Sequence, residues 1–99
     1  MKKLTVILFE DLYEYEKYAN SVCNKFVVLS DESEFLGTWW VDHNEEEAYS
    51  AISDAVNHFI ENTDKKEIIL GVGNKDYDSV IPKINIRNCV VEAVNCKKL

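Results

Sequence analysis

Hydrophobic positions along the chain fall into two periods. In the stretch Phe35–Asn62, apolar residues at Ala48, Ala51, Ile52, Ala55, Val56, Phe59 and Ile60 keep the three-then-four spacing of one helical stripe. This predicts the principal helix over 48–60. Its opposite face carries Glu46, Ser50, Ser53, Asp54, Asn57 and Glu61, read as an acidic, hydroxyl-rich surface turned to water. A shorter helix is predicted from Leu12 to about Cys23. Leu12, Tyr15, Tyr18 or Ala19, and Val22 form its inner stripe, while Tyr13, Glu14, Glu16, Lys17 and Asn20 face out.

Five runs read as strands. Leu4–Phe9 and Glu67–Gly73 are almost continuously apolar, the pattern of strands buried on both faces. Lys25–Ser30 is rich in β-branched and aromatic residues, and Cys89–Val94 closes the series. Phe35–Asp42 alternates Phe35, Gly37, Trp39 and Val41 with Leu36, Thr38, Trp40 and Asp42, so the two tryptophans point to opposite faces.

Punctuation between these runs is chemical. Asp11 stands three residues before Glu14, and Asn44 three before Glu47, the spacing of a capping box. Glu45 and Glu46 suit the positive end of the principal helix. Asn24 is a left-handed stop for the first helix, and Asn62–Lys66 closes the second, with its lysines near the negative end. Asp31–Glu34 reads as a hairpin connection, residues 74–78 as a turn, and Ser79–Ile84 as a short helical turn broken by Pro82. Lys97–Leu99 is expected to fray.

The order strand, helix, strand, strand, helix, strand, strand fits a single domain, 1–99, of ferredoxin-like α+β architecture. That is an antiparallel sheet with both helices on one face and an extra C-terminal strand. An uncovered sheet face would leave one of Trp39 and Trp40 exposed. The competing arrangement is a small parallel, flavodoxin-like sheet in which Trp39-Trp40 belongs to an inserted arm and residues 76–84 form a third helix.

Composition narrows the class. The chain has 99 residues, 46% of them hydrophobic and 29% charged, with three glycines and one proline, which suits one ordered core. Apolar runs such as Val6–Phe9 are far shorter than the roughly 20 residues of a membrane span, and no cleavage site follows Met1-Lys2-Lys3. Cys23, Cys89 and Cys96 are an odd count with no C-x-x-C pair, as expected of reduced thiols in a cytoplasmic protein. The net charge is −7, but Glu10–Asp64 holds fourteen acids against Lys17 and Lys25, a local −12. Such a field repels nucleic acid and anionic membrane and speeds encounter with basic surfaces.

No motif points to a reaction. Gly71-x-Gly73 lacks a third glycine, since Asp76 occupies that position, and a turn or bulge explains it better than nucleotide binding. His43 and His58 have no metal-ligand spacing, Cys23 and Cys89 look like small core residues, and Arg87 is the sole arginine. The expectation is a non-enzymatic protein without cofactor or metal.

Acids alternating with aromatics remain: Tyr13, Glu14 and Glu16, the Asp31–Glu34 turn, Tyr49, and a candidate partner-binding set of Trp39, Trp40, Asp42, Glu46, Asp54 and Glu61. Carboxylates so placed can stand where a nucleic-acid-binding protein expects phosphates. The functional expectation is an inhibitor of a basic or nucleic-acid-binding protein, of the phage counter-defence or immunity-protein type, with no direct nucleic-acid contact. The alternative is a homodimeric small-ligand-binding or regulatory domain whose free sheet face buries one tryptophan.

Overall fold

The computed structural model describes residues 1–28, 31–42 and 45–98, with backbone alone for 23–28. β1 (Lys2–Phe9), β2 (Ser33–Trp40), β3 (Glu67–Gly73) and β4 (Cys89–Asn95) form one sheet in the order β2-β3-β1-β4, and every pairing is parallel. α1 (Leu12–Val28) joins β1 to β2, and α2 (Glu46–Asn62) joins β2 to β3. A 3-10 turn (Tyr77–Ser79), the single helical turn α3 (Val80–Lys83) and a non-helical strap, residues 84–88, ending in Asn88 at positive φ, lead from β3 to β4.

The antiparallel ferredoxin-like expectation is therefore incorrect and the parallel, flavodoxin-like sheet fits, although Trp39 and Trp40 belong to the sheet strand β2 and not to an inserted arm. One segment decides this. Lys25–Val28, read as strand from its β-branched content, continues α1 straight through Asn24. The spacing also allows a helix, because position 26 follows positions 15, 19 and 22 at helical intervals. Tertiary context overrode β-propensity. Leu29 and Ser30 lie outside the described residues. With that strand removed, elements alternate strictly, and consecutive strands joined by helical crossovers run parallel.

Right-handed crossovers then dictate the layers. β1 to β2 and β2 to β3 cross the sheet in opposite directions, so α1 and α2 cover opposite faces. The β3 to β4 connection shares the α2 face. Leu4, Val6 and Leu8 of β1 pack with Ile68, Leu70 and Val72 of β3 against Ile52, Val56 and Ile60 of α2, together with Val80 and Ile84. On the other face Ile7, Phe9 and Ile69 pack against Ala19 and Val22 of α1. Ala19, rather than Tyr18, is the inner residue, and Leu12 is exposed rather than inward.

β2 is an edge strand, and its alternation is broken. Phe35 is opposite Ile69 but Gly37 is opposite Leu70, so Leu36 forms a bulge that exchanges the faces. Phe35 faces α1, whereas Trp39 faces α2 and packs on the larger core. Trp40 returns to the α1 face and contacts Tyr15, ring centroids 5.8 Å apart. Both tryptophans are half-buried on covered faces, so the free sheet face expected to bury one in a dimer is absent.

The helix ends also differ from expectation. Asp11 caps α1 as predicted, its Oδ1 accepting the Glu14 N–H at 2.7 Å. The N-cap of α2 is Glu45, whose side chain makes no capping bond, and Asn44 and His43 lie outside the described residues. At the negative end of α2, Lys2 reaches across and donates to the carbonyls of Ile60 and Thr63. Rather than fraying, Cys96–Lys98 form a 3-10 turn held by Lys97 on Glu10.

Gly73 explains itself by close approach. A Cβ there would lie 2.2 Å from Cε3 of Trp40 and 3.2 Å from Cδ2 of Tyr15. Gly73→Ala must tip the indole outward, at a cost of about 1–3 kcal/mol from overpacking. Chemical denaturation and tryptophan emission check this: the expected result is lower stability with a red shift, and unchanged stability and spectrum would contradict the packing.

Candidate functional site

In a doubly wound sheet, ligands bind outside the strand C-termini where neighbouring connections leave for opposite faces. Here that point lies between β1 and β3, and the protein's own side chains close it. The Asn74 N–H donates to Phe9 O at 3.1 Å, the Asn74 amide donates to Tyr49 Oη at 2.7 Å, and Asn74 Oδ1 accepts the Asp76 N–H at 2.7 Å. Asn74 is 3% exposed and Tyr49 2%, so Tyr49, expected at the surface, is a core residue. Burial pushes its phenol above the ordinary pKa, partly offset by the Asn74 hydrogen bond.

Open space lies instead between α2 and the strap. A groove of about 420 Å³ runs there, walled by Glu46, Ser50 and Asp54 on the helix and by Lys83, Asn85 and Arg87 opposite. The strap alternates: Ile84 is buried in the larger core and Ile86 packs against it, while Asn85 and Arg87 are exposed. Ser53 and Asn57 form the floor between the walls.

These two residues were expected to face water and do not. Ser53 Oγ donates to Tyr49 O at 2.7 Å and accepts the Asn85 N–H at 3.0 Å. The Asn57 amide donates to Asn85 O at 2.8 Å while its Oδ1 accepts the Arg87 N–H at 2.9 Å. One side-chain amide thus pairs with the strap as a neighbouring strand's peptide group would, and Asn57 is only 6% exposed as a result.

The six candidate partner-binding residues are spread over four settings. Trp40 and Asp42 belong to the C-terminal edge of the sheet, where the indole N–H donates to Asp42 Oδ1 at 2.7 Å. Trp39 is engaged by the core. Glu46 and Asp54 line the groove, and both are exposed. Glu61 lies at the far end of α2 and pairs with Arg87 at 3.7 Å. Lys83, Asn85 and Arg87 went unrecognised in the sequence, although the alternation Lys83-Ile84-Asn85-Ile86-Arg87 is the signal of an extended segment with one buried side.

A second polar cluster joins the ends of β1 and β4. Glu14, expected to face out, is 8% exposed and accepts the Cys96 thiol on Oε2 at 3.1 Å. Lys97 lies 3.0 Å from Glu10 Oε2 and 3.5 Å from Glu14 Oε1. Hydrogen bonds from Lys97 and Asn95 hold the Glu10 carboxyl below its ordinary pKa. Burial, reinforced by the bond to Glu14, pushes the Cys96 thiol up to about 12, so it stays protonated at neutral pH. Cys89 and Cys96 are free thiols.

Among the described residues, no group of three or more His, Cys, Asp or Glu side chains could hold a metal ion, and no helix is long and apolar enough to cross a membrane. His58 is exposed on α2 beside Asn62, and His43 lies outside the described residues. Comparison with protein-family models, curated proteins and solved structures gives no match.

Two outcomes follow from these contacts. Asn57→Ala removes the partner of two strap backbone groups and should cost about 1–3 kcal/mol in chemical denaturation, against within about 0.5 kcal/mol for the exposed neighbour change Asp54→Ala; equal effects would contradict the latch. Iodoacetamide at pH 8 should modify Cys96 on the order of 100-fold more slowly in the native than in the denatured chain, read by peptide mass mapping. Comparable rates would contradict a buried, protonated thiol.

Proposed function

We propose that the protein binds and occupies a basic surface of a partner protein, as an inhibitor of a nucleic-acid-binding or otherwise cationic protein would. The observation that carries this reading is where the parallel topology leaves the carboxylates. Strand C-termini all open at one edge of a parallel sheet, so the acids following each strand are brought to one rim. Asp11 follows β1, Asp42, Glu45 and Glu46 follow β2, and Asp76 and Asp78 follow β3, and all six are exposed.

Little opposes this charge. Of the basic residues just after the strands, Lys97 is engaged by Glu10 and Glu14, leaving Lys75 and Lys98. Tyr13, at 68% exposure, stands at the same rim on the first turn of α1 and offers an aromatic contact of the kind that supplies interface energy. Trp40 is held there by Asp42 and Tyr15 and contributes a half-buried edge. The opposite edge is mixed in sign, with Lys2, Lys3, Lys65 and Lys66 interspersed among acids. A one-sided field of this kind orients encounter as well as accelerating it.

The test compares two triple variants of equal net charge. Asp42→Asn, Glu46→Gln and Asp76→Asn neutralise the rim; Asp31→Asn, Glu61→Gln and Asp64→Asn neutralise the other end. Capture from the native host at low salt should retain a basic protein on the wild-type chain and the second variant and lose it on the first, with retention falling as salt rises. Equal loss on both variants, or a captured partner without a basic surface, would contradict the reading.

A further inference from the structure

The groove between α2 and the strap is a site with opposed walls, and its charges are held apart. Glu46 and Asp54 rise from α2 on one side, and Lys83, at the end of α3, and Arg87, on the strap, from the other. Among the described residues, Glu46, Asp54 and Lys83 form no ion pair. Arg87 pairs, among the described residues, with Glu61 alone, at 3.7 Å and exposed on both sides, which leaves most of its five N–H donors without a partner there. In a flexible surface such charges would close on each other. Here the latch of Ser53 and Asn57 fixes the strap backbone at a set distance from the helix, because both residues are buried and each bonds the strap directly.

The floor asks nothing of a ligand. Ser53 and Asn57 have their hydrogen bonds met by the protein, and the ring of Tyr49 lies 5.6 Å from the Lys83 ammonium. Selectivity therefore resides in the walls, which present acceptors on one side and donors on the other. A volume of about 420 Å³ is within the usual range for small-ligand sites.

The geometry points to a binding site for a small zwitterion, a free amino acid or dipeptide, with its ammonium against Glu46 and Asp54 and its carboxylate against Lys83 and Arg87. A simple anion meets the repulsion of the acidic wall, and a simple cation that of the basic wall, whereas a zwitterion satisfies both. The site is separate from the acidic rim and shares only Glu46 with it, so either can fail alone.

Amide chemical shifts of the full chain, titrated with single amino acids and with Ala-Ala, test the assignment. N-acetyl-alanine-amide, in which both charges are blocked, is the control. The expected result is saturable shifts at Ser50, Asp54, Asn85 and Arg87 for at least one zwitterion, and at least a tenfold weaker response to the blocked control. Lys83→Met and, separately, Asp54→Asn should each weaken that binding at least tenfold with unchanged melting temperature, since neither side chain bonds the strap. Amino acids without effect but saturation by Ala-Ala would assign the dipeptide. No shift with any zwitterion, equal shifts with the blocked control, or full binding by both variants would overturn the assignment.

Discussion

A parallel sheet must return the chain over one of its faces between every pair of strands, and the β3 to β4 return is made with almost no helix. α3 is a single turn, so the last part of that crossover, residues 84–88, is backbone whose N–H and C=O groups have no helical partners. α2 supplies what is missing. Ser53 and Asn57, on the side of the helix facing the strap, take up the backbone groups of Asn85 and Arg87, while Ile84 and Ile86 enter the core beneath. The position of β4, the closure of the α2 face and the width of the groove all follow from this latch.

The same constraint explains where legibility in the sequence ended. β1 and β3 were legible because continuous apolar runs such as Val6–Phe9 and Ile68–Leu70 have no surface alternative, and Ile52, Val56 and Ile60 of the α2 stripe are buried as expected, whereas Ala51 and Ala55 of the same stripe are exposed. The strand order was not legible, because Lys25–Val28 carries β-branched residues and a helical spacing at once, and only the packing of α1 across the sheet decides between them. Ser53 and Asn57 were assigned to water because polarity alone does not distinguish a solvated side chain from a buried one whose bonds are met by a distant strap. Glu14 was misassigned for the same reason: its partners, Cys96 and Lys97, lie more than eighty residues away.

For the candidate site, the acids were legible and their grouping was not. Glu46, Asp54 and Glu61 look alike along one helix, yet Glu46 borders the strand C-terminal rim, Asp54 walls the groove and Glu61 is paired with Arg87. Trp39 and Trp40 take opposite faces by strand alternation, and the bulge at Leu36 decides that Trp39 is the one on the α2 side. Parallel topology is what converts an acidic segment into an acidic rim, since it carries the residue after every strand to the same edge. An antiparallel sheet would have dispersed them.

Hydrogen exchange of individual backbone amides tests the latch most directly. Asn85 and Arg87 belong to no helix or strand, and both side chains are exposed, so without the latch their amides should exchange like those of surface loops. The structure predicts that both are protected, at rates approaching those of β4, because their N–H groups donate to Ser53 Oγ and Asn57 Oδ1. Exchange at the rate of the neighbouring Asn88 amide would contradict the account.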